Sequence, residues 1–167
     1  MEEEKKYLSV YLQDHLAMAQ AGVAFAHRIA RENRGTPFGA ELAVIAQEIE
    51  EEEQVVRVLL DRMRVDPSYL KNTGAWFAEK LGRLKLNGEF FEYSPLSRLH
   101  ELEAMMAIVE VRLALWKTIS EAQEHFPVLH GLNAETFAAR AQAHLNRFEE
   151  LHQRAAREML FQSRSGP

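Results

Sequence analysis

A chain of 167 residues with 47% hydrophobic and 27% charged side chains is sized for one domain, 1–167, that buries its own core and leaves little room for a long disordered tract. Its formal net charge of −5 argues against nucleic acid as a partner, and the absence of cysteine excludes disulfides, thiolate metal sites, iron–sulfur clusters and cysteine nucleophiles. The opening Met1-Glu2-Glu3-Glu4 lacks the apolar core of a signal peptide and no apolar run is long enough to cross a bilayer, so a cytoplasmic location is expected and membrane insertion is not.

Helical periodicity is the recurrent pattern, and prolines with cap residues cut it into lengths. Helix one is predicted from Tyr7 to Asn33, where Leu8, Leu12, His15, Ala19, Gly22, Ala26 and Ile29 recur every three or four positions, and Gly35 stops it. Gly22 on that face suits close approach by a neighbouring helix. Thr36-Pro37 reads as an N-cap with proline at the first helical position, which predicts helix two from Pro37 to Met63. Its apolar face carries Phe38, Leu42, Ile45, Ile49, Val56, Leu59 and Met63, with Glu52 inside the stripe. The acidic run Glu48, Glu50, Glu51, Glu52 and Glu53 covers more than half the helical circumference, so most of it must face water.

Residues 64–94 form too long a link to be structureless in a compact domain, and Tyr69, Leu70, Trp76, Phe77, Leu81 and Leu84 give it a helical rhythm. It is read as a crossover containing a shorter helix, locally basic where Lys71, Lys80, Arg83 and Lys85 outnumber Glu79. Ser94-Pro95 opens helix three, predicted from Pro95 to Ala122, with Leu99, Leu102, Met106, Val109, Leu113 and Trp116 on one stripe. Pro127 falls in a loop, and Asn133 caps helix four, predicted from Ala134 to Phe161. That helix shows Phe137, Ala141, Phe148, Leu151, Ala155 and Met159, with His144 inside its stripe. The shorter links imply two antiparallel hairpins, and the long one lets helices two and three run parallel.

The order of four long helices with a crossover between the second and third resembles the ferritin-like superfamily across nearly the whole chain, so the expected fold is an all-α, ferritin-like four-helix bundle with a helical crossover. The strings Tyr11-Leu-Gln-Asp-His-Leu-Ala17, Leu81-Gly-Arg-Leu-Lys-Leu-Asn-Gly88 and Ser94-Pro-Leu-Ser-Arg-Leu-His-Glu-Leu-Glu103 are similar to those of a group of small bacterial members without an assigned activity. The wider resemblance implies a carboxylate on each of two helices and a Glu-x-x-His pair on each of the other two, around two metals. Helix four supplies Glu149-Glu-Leu-His152, whereas helix two has Glu48-Ile-Glu-Glu51 with glutamate where the histidine belongs. Helix one offers Asp14-His15, and helix three offers Glu101, Glu103 and Glu110.

Counting rise along the helices from the end where the first and fourth begin brings His15, Glu52, Glu110 and His144 to one depth, within roughly one turn. Glu48, Glu103, Glu149 and His152 form a second, higher level. Buried imidazoles and carboxylates at one depth must meet each other, water or a metal. Two readings follow: a hydrogen-bonded His–Glu cluster that fixes helix register, or a mono- or dinuclear site for iron, manganese or zinc. The functional expectation is a structural or interaction module, expected as a homodimer, with an incomplete ligand set. Its rivals are a non-haem metal–carboxylate oxidase or peroxide-handling protein, and a membrane- or partner-docking bundle working through the basic crossover. No phosphate loop, dinucleotide fingerprint or Gly-x-Ser-x-Gly elbow points elsewhere.

Overall fold

The computed structural model describes residues 2–64 and 93–161, and among them every regular element is helical. The described residues form four long helices, α1 (Glu2–Glu32), α2 (Gly39–Arg62), α3 (Pro95–Ala122) and α4 (Ala134–Phe161), with a 3₁₀ turn at Pro127–Leu129 between α3 and α4. The expected crossover helix and its basic residues Lys71, Lys80, Arg83 and Lys85 lie outside the described residues. None of the described helices is long and apolar enough to cross a membrane.

The helix ends follow their local chemistry. α1 begins at Glu2 rather than Tyr7, because Glu3 and Glu4 sit at the positive end of the helix dipole and the Tyr7 hydroxyl donates one turn back to Glu3 Oε1 at 3.0 Å. α2 begins at Gly39 rather than Pro37. The Thr36 hydroxyl donates to the Asn33 carbonyl at 2.8 Å and accepts from Phe38 N–H at 3.2 Å, which holds Thr36–Phe38 in a turn of their own. That turn presses the chain so closely that a Cβ on Gly39 would lie 2.4 Å from the Asn33 carbonyl oxygen. Ser94 caps α3 by accepting from Ser97 N–H at 3.1 Å, and Asn133 caps α4 by accepting from Thr136 N–H at 3.2 Å. The turn between α3 and α4 is clasped by Gln123, which donates to the carbonyls of Leu129 and Leu132, and Leu129 is fully buried.

Interhelical pairs give the direction of each rod. Asn33 with Arg98 and Arg28 with Glu101 set α1 antiparallel to α3. Arg98 with Glu158 and Trp116 stacked on Phe137 set α3 antiparallel to α4. Glu41 with Arg147 and Glu51 with Arg140 set α2 antiparallel to α4. With α1 and α2 closed into a hairpin, α2 and α3 run the same way, so α2 ends at one end of the bundle and α3 starts at the other. Between the rods lies a hydrocarbon cluster that includes Leu12, Ile29, Ile45, Leu59, Leu102, Met105, Trp116 and Phe148. Gly22 brings α1 close to α3, since a Cβ there would sit 3.0 Å from Ile108 Cγ2.

At the end where α3 begins, Phe38 is fully buried between two guanidinium groups, Arg98 at 4.4 Å and Arg154 at 4.3 Å from its ring centre. Arg98 also donates to Asn33 at 2.6 Å and to Glu158 at 2.5 Å, tying α1, α3 and α4 together. The Tyr93 hydroxyl donates to Glu101 and accepts from Asn33, and burial beside that carboxylate raises its pKa.

Candidate functional site

Half-way along the bundle a charged residue from α3 crosses the interior. Arg112 is buried, and one end of its guanidinium donates to Nδ1 of His144 on α4. Its Nε lies 3.3 Å from Glu52 Oε2 on α2, close enough for an ion pair. Glu52, only 1% exposed, accepts a hydrogen bond at that oxygen from the Trp116 indole N–H at 2.9 Å. On the far side of His144, Nε2 is 2.7 Å from Glu48 Oε2, and Arg147 donates to the same oxygen at 3.1 Å. Trp116, Glu52, Arg112, His144, Glu48 and Arg147 thus form one relay across three helices.

The relay fixes the protonation of its imidazole. A guanidinium can only donate, so His144 Nδ1 must be an acceptor and the proton must sit on Nε2, where it is given to Glu48. Burial, reinforced by the Arg112 charge, holds the His144 pKa down to about 4 against the pull of Glu48. Burial also raises Glu52, with Arg112 and the Trp116 N–H opposing it. Glu48 comes out below the usual carboxylate range. Its partial burial pushes upward, but the bonds and charges of His144 and Arg147 outweigh that.

The residues expected to share a depth are only partly brought together. Glu52 and His144 belong to the relay, and His15 is buried on α1 against Tyr11, with ring centres 4.4 Å apart. Burial lowers the His15 pKa, opposed by the charge of Asp14. Glu110 does not join them. It is exposed, because α3 is rotated so that Leu102, Met105, Val109, Arg112, Trp116 and Ile119 face inward. The second level also divides: Glu48 bonds His144 one layer below its expected partners, while His152 and Glu103 meet at 3.2 Å near the surface. Glu149 is exposed, so the Glu149–His152 spacing does not build an interior ligand pair. Among the described residues no three or more histidine, aspartate or glutamate side chains converge as metal ligands do.

Beside the relay the packing of α1 against α3 opens into a pocket of about 360 Å³. Met18, Ala19 and Gly22 of α1, Ile49 and Val56 of α2, and Ala104, Ala107, Ile108, Val111 and Leu115 of α3 form its walls. His15, Glu52, Glu53, Arg112 and Trp116 complete the lining. Among the described residues Glu52 Oε1 and the Nε and Nη1 of Arg112 have no hydrogen-bond partner, and all three are sealed from solvent. Small side chains at residues 19, 22, 104 and 107 create this space, since larger ones at those positions would close the gap between the two helices.

Arg112 is neither a carboxylate nor an imidazole and so stands outside the ligand types expected from the sequence. Its signal was present in the spacing, three residues after Val109 and four before Trp116. Comparison of the chain with known protein families, curated proteins and solved structures finds no match.

Proposed function

We propose that this protein is a ferritin-like bundle serving as a structural or interaction module, its centre occupied by a hydrogen-bonded charge relay where metal-active bundles hold metal. The common direction of α2 and α3, between two antiparallel hairpins, supports the fold reading. The position of Arg112 carries the functional one. A divalent ion about 4 Å from a guanidinium would meet repulsion on the order of 8 kcal/mol at an effective dielectric of about 20. His144 has no lone pair free to compensate, since one ring nitrogen accepts from Arg112 and the other donates to Glu48. The rival metal–carboxylate oxidase would need Glu110 at the centre, and Glu110 faces water.

Elemental analysis of protein purified without added metal, followed by titration with iron(II) and manganese(II), tests this reading. The expected result is far less than one metal per chain and no saturable uptake. One tightly held transition metal per chain, lost on Glu52→Ala, would overturn it.

A further inference from the structure

The pocket between α1 and α3 is not needed by the relay, and its chemistry is specific enough to name an occupant. We propose that it is a binding site for one small, uncharged, hydrocarbon-rich molecule, an alkyl or aryl body of roughly eight to ten carbons. A volume of about 360 Å³ falls at the lower end of the range for small-molecule sites, which runs from roughly 300 to 1,000 Å³. The walls are methyl, methylene, thioether and indole groups from Met18, Val56, Ile108, Val111, Leu115 and Trp116. Such a surface gains by covering hydrocarbon and offers a polar ligand little in exchange for its water.

Charge decides against ionic ligands. The buried cation and anion next to the pocket, Arg112 and Glu52, already neutralise each other at 3.3 Å. Although both residues line the pocket, their unpartnered atoms are out of reach of solvent. Glu53, the other carboxylate of the lining, is paired with Arg57 at 2.5 Å, so a carboxylate or an ammonium entering the pocket would lose hydration and meet only charges that are already matched. A neutral hydrocarbon molecule gives up little hydration on entry and covers the apolar walls. Two of the lining residues on α3, Ala107 and Val111, are themselves exposed, Val111 to 39%, so among the described residues the pocket reaches the α3 surface there.

This site goes beyond the module reading and is independent of the metal question, because ligand binding and metal content are measured separately. The test is calorimetric titration of the full chain with 1-octanol, octanoate and octylammonium, alongside amide chemical-shift mapping. We expect one octanol per chain, with octanoate and octylammonium at least about tenfold weaker. Shifts should concentrate at Gly22, Ala104, Ala107 and Trp116. Ala107→Trp, made at an exposed position on the pocket edge, should weaken octanol binding at least about tenfold and leave the unfolding midpoint unchanged. Ala139→Trp, on the exposed side of α4 and outside the lining, should bind as the parent does. Absence of octanol binding, equal affinity for the charged analogues, shifts centred elsewhere, or undiminished binding by Ala107→Trp would each overturn the proposal.

Discussion

Replacing Arg112 by methionine is the most direct probe of the interior. The substitution keeps an unbranched, shorter apolar chain and removes the guanidinium, with both its charge and its N–H donors. It leaves Glu52, 1% exposed, with a hydrogen bond from Trp116 and a remote cation, Arg140, at 4.0 Å. It also strips His144 Nδ1 of its donor. Removing one member of a buried pair costs about 3–5 kcal/mol, since the other charge stays desolvated and unmatched. For a chain of this size that lowers the melting temperature by roughly 6–20 °C. In urea unfolding followed by circular dichroism, the midpoint should fall with little change in slope. Arg112→Met combined with Glu52→Leu should regain at least half of the loss, because a paired set exchanged for hydrocarbon is close to neutral. Loss of the Arg112 charge should also raise the His144 pKa, a change visible in its ring resonances. A single variant within about 1 kcal/mol of the parent, or a double variant no more stable than the single, would refute the relay as a coupled unit.

Further outcomes follow from other positions. His144 has its pKa lowered from 6.5 to about 4, so between those values the unfolded chain binds more protons and stability falls as pH drops. The effect has a ceiling of about 3 kcal/mol. Burial raises the carboxyls of Glu52 and Glu101, which act in the opposite sense by gaining stability as pH falls, so the His144 contribution is best read as the difference between the parent and His144→Gln. That difference should shrink steadily from pH 6.5 towards 4, and a constant difference would contradict the assignment. Gly39→Ala should destabilise by about 1–3 kcal/mol in the same urea assay despite alanine's better helix propensity, because its Cβ meets a backbone carbonyl that cannot step aside. Phe38→Ala should cost about 3–5 kcal/mol, and Phe38→Leu should recover only part of that because it restores hydrocarbon without the ring face that both guanidiniums cover.

Most of the described helical framework can be read from the sequence because it rests on local rules. Ser94-Pro95 and Asn133 mark the starts of α3 and α4, and those two helices occupy the spans their periodicity implies. The misjudged starts of α1 and α2 have local causes that hydrophobic spacing does not register. Three consecutive glutamates extend the first turn of α1 without any apolar residue. At α2, the Thr36 side chain bonds backward to Asn33 as well as forward, and that converts a cap-and-proline signature into a separate turn. The buried face of α1 holds Leu8, Leu12, His15, Gly22, Ala26 and Ile29 as expected from their spacing, because a face of hydrocarbon has nowhere else to go.

The site was harder to read because the choice of inward residue on α3 turns on a rotation that several stripes share. Leu99, Leu102, Met106, Val109, Leu113 and Trp116 make one acceptable face, while Leu102, Met105, Val109, Trp116 and Ile119 make another about one residue away. The second face passes through Arg112, so choosing it means burying a cation. What decides between them lies on other helices. Glu52 within the apolar stripe of α2 and His144 within that of α4 are a buried acid and base whose remaining polar atoms, beyond the bonds from Trp116 and to Glu48, need a partner. Only a long donor with several N–H groups can span from one to the other, and α3 carries one at the required height. Glu110, two residues earlier and therefore about 200° around the helix, would have placed a second anion beside Glu52 with no cation between them. Matching charges across all three stripes, rather than matching carboxylates to a ligand pattern, selects Arg112 and turns Glu110 towards water.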